Sequence, residues 1–242
     1  STLSCLTTWM PQQRWYSAKG RTPSLRIVAT WDLPGPSPDL AAAGSVRVRT
    51  LLVADDSTAP VTLYQVPVVA RATDSVIESD HVIGSPEPGT TLVDGPFDPA
   101  YTDALLRLVT QGGDAVGDGA SARGIPSATA PDPHGYRSAV LSGEQSNTSI
   151  VYRRDDDAAP IICKVFRQLH PGLNPDIELQ TALADSGSPF VPGAVGSVSG
   201  SWPDPAGGLG VEEPTVEGSE APAVEGSLAF AHPPFTAAAV HS

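Results

Sequence analysis

The chain has no lysine or arginine beyond Arg167. Asp176, Glu178, Asp185, Asp204, Glu212, Glu213, Glu217, Glu220 and Glu225 all lie beyond it, and the formal net charge of the whole is -13. Nothing in so acidic a chain would neutralise phosphates in bulk, which argues against a nucleic-acid partner and against an anionic membrane surface. Cysteine is scarce as well. Cys5 and Cys163 do not make a disulfide framework, and no Cys/His cluster has metal-ligand spacing. No apolar run approaches the roughly 20 residues that span a bilayer. Ser1 to Met10 lacks a basic stretch followed by an apolar core, which points away from a signal peptide. The expectation is a soluble cytoplasmic protein.

What is abundant is turn chemistry. The 242 residues include 23 glycines and 25 prolines, about a fifth of the chain, which predicts many turns and short strands. A short helix is expected over about Leu3 to Trp9, ahead of Gln13-Arg14-Trp15-Tyr16. Strand patterns follow at Ser24 to Leu33, Ser45 to Ala54 and Val61 to Val69, with a Pro/Gly/Ala-rich loop from Pro34 to Gly44. Val46-Arg47-Val48-Arg49 alternates clearly and the alternation then fades, as for a strand covered first on one face and then on both. Phe97 to Gln111 is the best helix: Asp98 caps it, Pro99 fits its first position, and Ala100, Ala104, Leu105 and Leu108 form an apolar stripe. Gly112 to Pro133 reads as a mobile linker of low hydrophobicity. Arg137 to Leu141, Ser149 to Arg153 and Pro160 to Phe166 read as three more strands, Asn174 to Ala184 as a helix, and Ser188 to Ser199 as a further strand or two. From about Pro203 onward Gly, Pro, Ala and Glu dominate, which predicts a disordered acidic tail.

Three features occur in an order that carries chemistry. The segment Ser142-Gly143-Glu144-Gln145-Ser146-Asn147-Thr148-Ser149 is a hairpin loop crowded with hydroxyl and amide groups, able to wrap phosphates. Lys164 sits inside the apolar strand Ile161 to Phe166, where an unpaired ammonium is costly. Glu178, on the next helix, could pair with it. Taken singly, the loop is most simply a turn, the lysine an edge residue and the glutamate a solvated charge. Together they have the layout of a protein-kinase-like N-lobe. Cys163 reads as a small core residue, since no partner base is visible, and Asp155-Asp156-Asp157 as a solvated turn. Gln13-Arg14-Trp15-Tyr16 can be read as a binding surface, but the aromatic pair reads first as an anchor of the first helix to a sheet.

Glu144 to Ser149, Cys163-Lys164-Val165-Phe166-Arg167 and Asn174-Pro175-Asp176-Ile177-Glu178-Leu179 resemble the actinobacterial maltokinases and their glucosamine-kinase relatives. Trp9 with Gln13 to Tyr16 and Lys19-Gly20-Arg21 resembles the start of the same family's N-terminal cap subdomain. The resemblance covers roughly residues 1 to 200. It implies an α+β chain: an antiparallel β cap over 1-95 and an intermediate helix and kinase-like N-lobe over 96-202, ahead of the acidic tail that composition predicts over 203-242. It also implies ATP and Mg²⁺, with phosphoryl transfer to maltose or an amino sugar such as glucosamine. By match, Gln145, Ser146, Asn147, Thr148 and Ser149 would lie over the phosphates, Lys164 would contact the α/β-phosphates, and Glu178 would orient Lys164.

The departure from that pattern is equally clear. The family's His-Gly-Asp catalytic loop and later metal-binding Asp are not found: none of His81, His134, His170, His232 and His241 is followed two places on by Asp. Leu228-Ala229-Phe230-Ala231 briefly resembles the family's hinge strand. The expectation is a truncated or frameshifted sugar kinase that binds ATP without turning it over. The alternatives are a non-enzymatic interaction module partnering an enzyme such as trehalose synthase, or a lobe completed by a separate chain.

Overall fold

The computed structural model describes residues 1–33, 46–75, 80–142, 146–156, 158–175, 177, 193–206 and 223–234. Helix α1 (Thr2–Trp9) begins where the Ser1 hydroxyl accepts from the Ser4 amide, and Pro11 turns it into a short 3-10 segment. Its Leu6 and Trp9 pack with Trp15 and Tyr16 onto one face of a sheet.

That first sheet comprises β1 (Leu25–Asp32), β2 (Arg47–Asp55), β3 (Thr62–Ala72), β4 (Val82–Glu87) and β5 (Thr90–Asp94), in the antiparallel order β1-β2-β3-β5-β4. In β2, exposed and buried residues alternate through Arg49, and everything from Thr50 to Asp55 is buried. The fading alternation has this cause: α1 and its aromatics cover Leu51 and Val53, while Leu52 and Ala54 join a second core on the other face. No strand is expected from sequence over β4 and β5: Gly84 and Pro86 interrupt the pattern in β4, and β5 is only five residues long.

Helix α2 (Pro99–Gln111) forms as expected, with the Asp98 carboxylate accepting from the Ala100 amide at 2.9 Å and Gly112 ending it at φ 78°. It lies in the core shared by both sheets. The second sheet comprises β6 (Gly113–Val116), β7 (Ser121–Pro126), β8 (Arg137–Val140), β9 (Asn147–Arg153) and β10 (Ile161–Phe166), followed by β12 (Gly196–Pro203) and β13 (Ala223–His232). Its order is β6-β7-β12-β13-β10-β9-β8. Between these, β11 (Gln168–Leu169) crosses over and pairs with β3 of the first sheet. The path β8-β9-β10-β13-β12 repeats the topology of β1-β2-β3-β5-β4: a three-strand meander, an excursion, and a last strand inserted between the third and the fourth.

Two expectations are corrected. Gly112 to Pro133 is no free linker, because β6 and β7 form a hairpin whose second strand pairs with β12. Its hydrophobicity is low because it packs through small residues. Ala115 and Ala122 are buried, and a Cβ on Gly124 would come within 1.9 Å of the Leu108 carbonyl oxygen of α2. Nor is the segment from Pro203 onward all tail: β13 lies near the centre of the second sheet, with Gly226 and Leu228 through His232 buried between β10 and β12. The flanking Gly, Pro and Glu dilute that apolar run in any average over the segment. The loop Pro34 to Gly44 lies outside the described residues, as do Gln145, Glu178 and all of the expected helix except Asn174, Pro175 and Ile177.

Candidate nucleotide-binding site

The β8–β9–β10 meander positions the sequence-predicted residues. Ser142 and Ser146 are exposed at the loop, Asn147 is half-buried, and Thr148 and Ser149 are buried in β9. The Leu141 amide donates to the Ser149 carbonyl at 2.8 Å, closing the hairpin below the loop. Cross-strand partners in an antiparallel pair share a face. Ser149 pairs with Lys164, and Lys164 with Phe230, so these three form one row across β9, β10 and β13. The alternate row, Ile150, Cys163 and Ala231, shares its face with Tyr152, which reaches α2. Tyr152 fixes β9 to that helix by donating from its hydroxyl to the Thr102 carbonyl at 2.8 Å.

The Lys164 row therefore lies on the face away from α2. Lys164 is half-buried and makes no ion pair among the described residues. Beside it, the buried Ser149 hydroxyl has no hydrogen-bond partner. A buried, unmatched hydroxyl next to a cation is a donor–acceptor pair prepared for an oxygen-rich ligand. Ser149, Lys164 and the loop ends are brought together; the places of Gln145 and Glu178 fall outside the described residues. Burial pushes the Cys163 thiol up to about 12, so it stays protonated and behaves as a core residue.

Sequence reasoning missed the residue that joins this meander to the first sheet. Arg167 sits at the step between β10 and β11, fully buried. Its Nε donates to the Thr148 hydroxyl at 2.8 Å, and its Nη2 donates to both carboxylate oxygens of Asp94, at 2.9 and 2.7 Å. The guanidinium also lies 5.0 Å from the centre of the Trp15 ring. Burial pushes the Asp94 carboxyl up while the guanidinium pulls it down. Gln65 of β3 seals the same seam: its side-chain amide donates to the Phe166 and Leu228 carbonyls, both at 3.0 Å, and its backbone amide to the Arg167 carbonyl at 2.8 Å. The signal in the sequence was a lone cation ending an apolar strand, together with the aromatic Trp15-Tyr16 pair. Tyr16 indeed serves as an anchor, stacking on Tyr64 with ring centres 5.4 Å apart and donating to Asp55 at 2.5 Å.

Among the described residues no three His, Cys, Asp or Glu side chains are grouped to hold a metal ion. Asp155 and Asp156 are engaged by Arg137 and Arg154. No helix among the described residues is long and apolar enough to cross a membrane.

Residues 9–98 match the family model of the maltokinase N-terminal cap domain. The match takes in the whole first sheet and stops at Asp98, the residue that caps α2. The resemblance read from Trp9 and Gln13 to Tyr16 thus holds for the N-terminal region, which is of the kind that maltokinase-like kinases carry.

Proposed function

We propose that the second sheet is the ATP-gripping lobe of a kinase that phosphorylates a sugar hydroxyl, with maltose or an amino sugar such as glucosamine as the acceptor class. The observation that carries this reading is the row formed by Lys164 and the unmatched Ser149 hydroxyl, on the face of the sheet opposite α2. The maltokinase cap ahead of it supports the choice of acceptor class.

In this reading the loop backbone and the Ser146 hydroxyl surround the phosphates, Lys164 supplies a compact positive charge against them, and Thr148, on the opposite face and held by Arg167, fixes the foot of the loop. Such a lobe binds and orients; it does not itself accept the proton of the attacking hydroxyl. Family members use a His-Gly-Asp loop for that step, and the 242 residues contain no such tripeptide. On this reading the chain binds nucleotide without itself phosphorylating sugar.

Calorimetric titration of ATP into the purified chain tests this. Saturable binding that weakens at least tenfold in Lys164→Met supports the reading. Equal heats for the two proteins would overturn it. ATP-dependent phosphorylation of maltose or glucosamine by the chain alone would refute the non-catalytic part.

A further inference from the structure

A groove of about 760 Å³ runs between the cap and the ends of β8 and β9, away from the Lys164 row. Its walls include Trp9, Arg14, Trp15, Asp80, Asn147 and Arg167. Two polar atoms in these walls are buried and lack partners: Nε1 of Trp9, whose side chain is 5% exposed, and Nη1 of Arg167, at 0%. The other two nitrogens of Arg167 are committed to Asp94 and Thr148. Both unmatched atoms only donate; neither can accept. The Arg167 charge is balanced by Asp94, but a buried N–H left without an acceptor is costly, so the groove calls for acceptor oxygens. Arg14 at the mouth is exposed and has no ion-pair partner among the described residues, while both Asp94 oxygens are already taken. The opposing charge is Asp80, and His81 lies beside it.

We infer that this groove binds a small oxyanion, a phosphate or carboxylate group, held by Arg167, Trp9 and Arg14. Donors that lack any matching acceptor favour an acceptor-only ligand over a neutral polyol. The groove shares Ser142, Asn147 and Thr148 with the candidate nucleotide loop, but the inference rests on neither Lys164 nor Ser149, which keeps the two readings separable.

Calorimetry with inorganic phosphate and with acetate, at constant ionic strength in a non-coordinating buffer, tests it. Phosphate binding alone identifies a phosphoryl site, and acetate binding a carboxylate site. Arg14→Gln is expected to weaken binding about tenfold and Trp9→Phe severalfold. Neither change touches the buried Arg167–Asp94 pair; Trp9→Phe thins the core under α1, so thermal unfolding of both variants separates a folding loss from a binding loss. Lys164→Met should leave this binding unchanged. Three results would overturn the inference: no saturable binding, a neutral disaccharide binding as well as the anions, or anion binding lost in Lys164→Met but kept in Arg14→Gln and Trp9→Phe. The last would assign the anion to the nucleotide loop instead.

Discussion

Asp94 ends β5 of the first sheet and Arg167 sits at the step where the chain leaves the second, and a single guanidinium nitrogen reaches both oxygens of the carboxylate in a place where neither side chain is more than 2% exposed. The pair spans the seam where the chain passes from β10 into β11, that is, from the second sheet to the first. Thr148, at the foot of the candidate nucleotide loop, hangs on the same guanidinium. The cap and the loop are thereby linked through one side chain.

Removing one partner of such a pair strands the other charge. Asp94→Ala should cost about 3–5 kcal/mol, since an uncompensated buried guanidinium remains. Urea denaturation would measure it. The Asp94→Leu, Arg167→Met double variant should recover much of that loss, because two apolar side chains leave no orphan charge. A double variant less stable than Asp94→Ala would speak against the pairing.

Asp98 does two things at once. It caps α2 through the Ala100 amide and pairs with Arg71 at 2.6 and 2.7 Å. Asp98→Asn keeps a capping oxygen but drops the charge; Asp98→Ala loses both. The alanine variant should be the less stable, by about 1 kcal/mol, the usual worth of an N-cap. Thermal unfolding of the two variants side by side checks the order.

Asp55 sets an acid limit on stability. Burial pushes its carboxyl up, but hydrogen bonds from Tyr16, Ser57 and Ser24 outweigh that and hold it below the ordinary value of 3.8. A carboxylate with a depressed folded pKa stabilises the fold above its unfolded pKa, and that stability is lost as pH falls through the folded value. Asp55→Asn should therefore lower stability at pH 7 and flatten the pH dependence below about 4, near the ordinary aspartate pKa. Denaturation series at pH 7, 4 and 3 would show whether the slope disappears.

Much of this fold was legible, and the failures share a cause. Asp98-Pro99, the alternation at Val46 to Arg49 and the β8–β9–β10 meander carry local signals, and the structure follows them. The β6–β7 hairpin and β13 do not. Their residues are small or are flanked by Gly, Pro and Glu, and they become strands only because β12 and β10 pair with them. Non-local pairing overrides composition there. The site divides the same way. Lys164 and Ser149 could be read from adjacent strands, whereas the Arg167 seam joins residues from β5, β9 and the segment after α1, far apart in sequence.

That account of β13 has its own test. Ala229 pairs with Val165 on one side and Val198 on the other, so Ala229→Pro interrupts a central strand. A loss of about 3 kcal/mol or more is expected, the scale at which proline disrupts an interior element. Unchanged circular dichroism and an unchanged urea midpoint would mean that the segment is not part of the sheet.

The nucleotide site itself can be probed at one atom. The chain has only two lysines, Lys19, exposed in the cap, and Lys164. An acyl-phosphate derivative of ATP transfers its acyl group to an amine lying beside the bound phosphates, and mass spectrometry of the digest reports which lysine is modified. The proposed site predicts rapid acylation of Lys164 that excess ATP suppresses, with slow, unprotected labelling of Lys19. Equal labelling of the two lysines, indifferent to ATP, would contradict it.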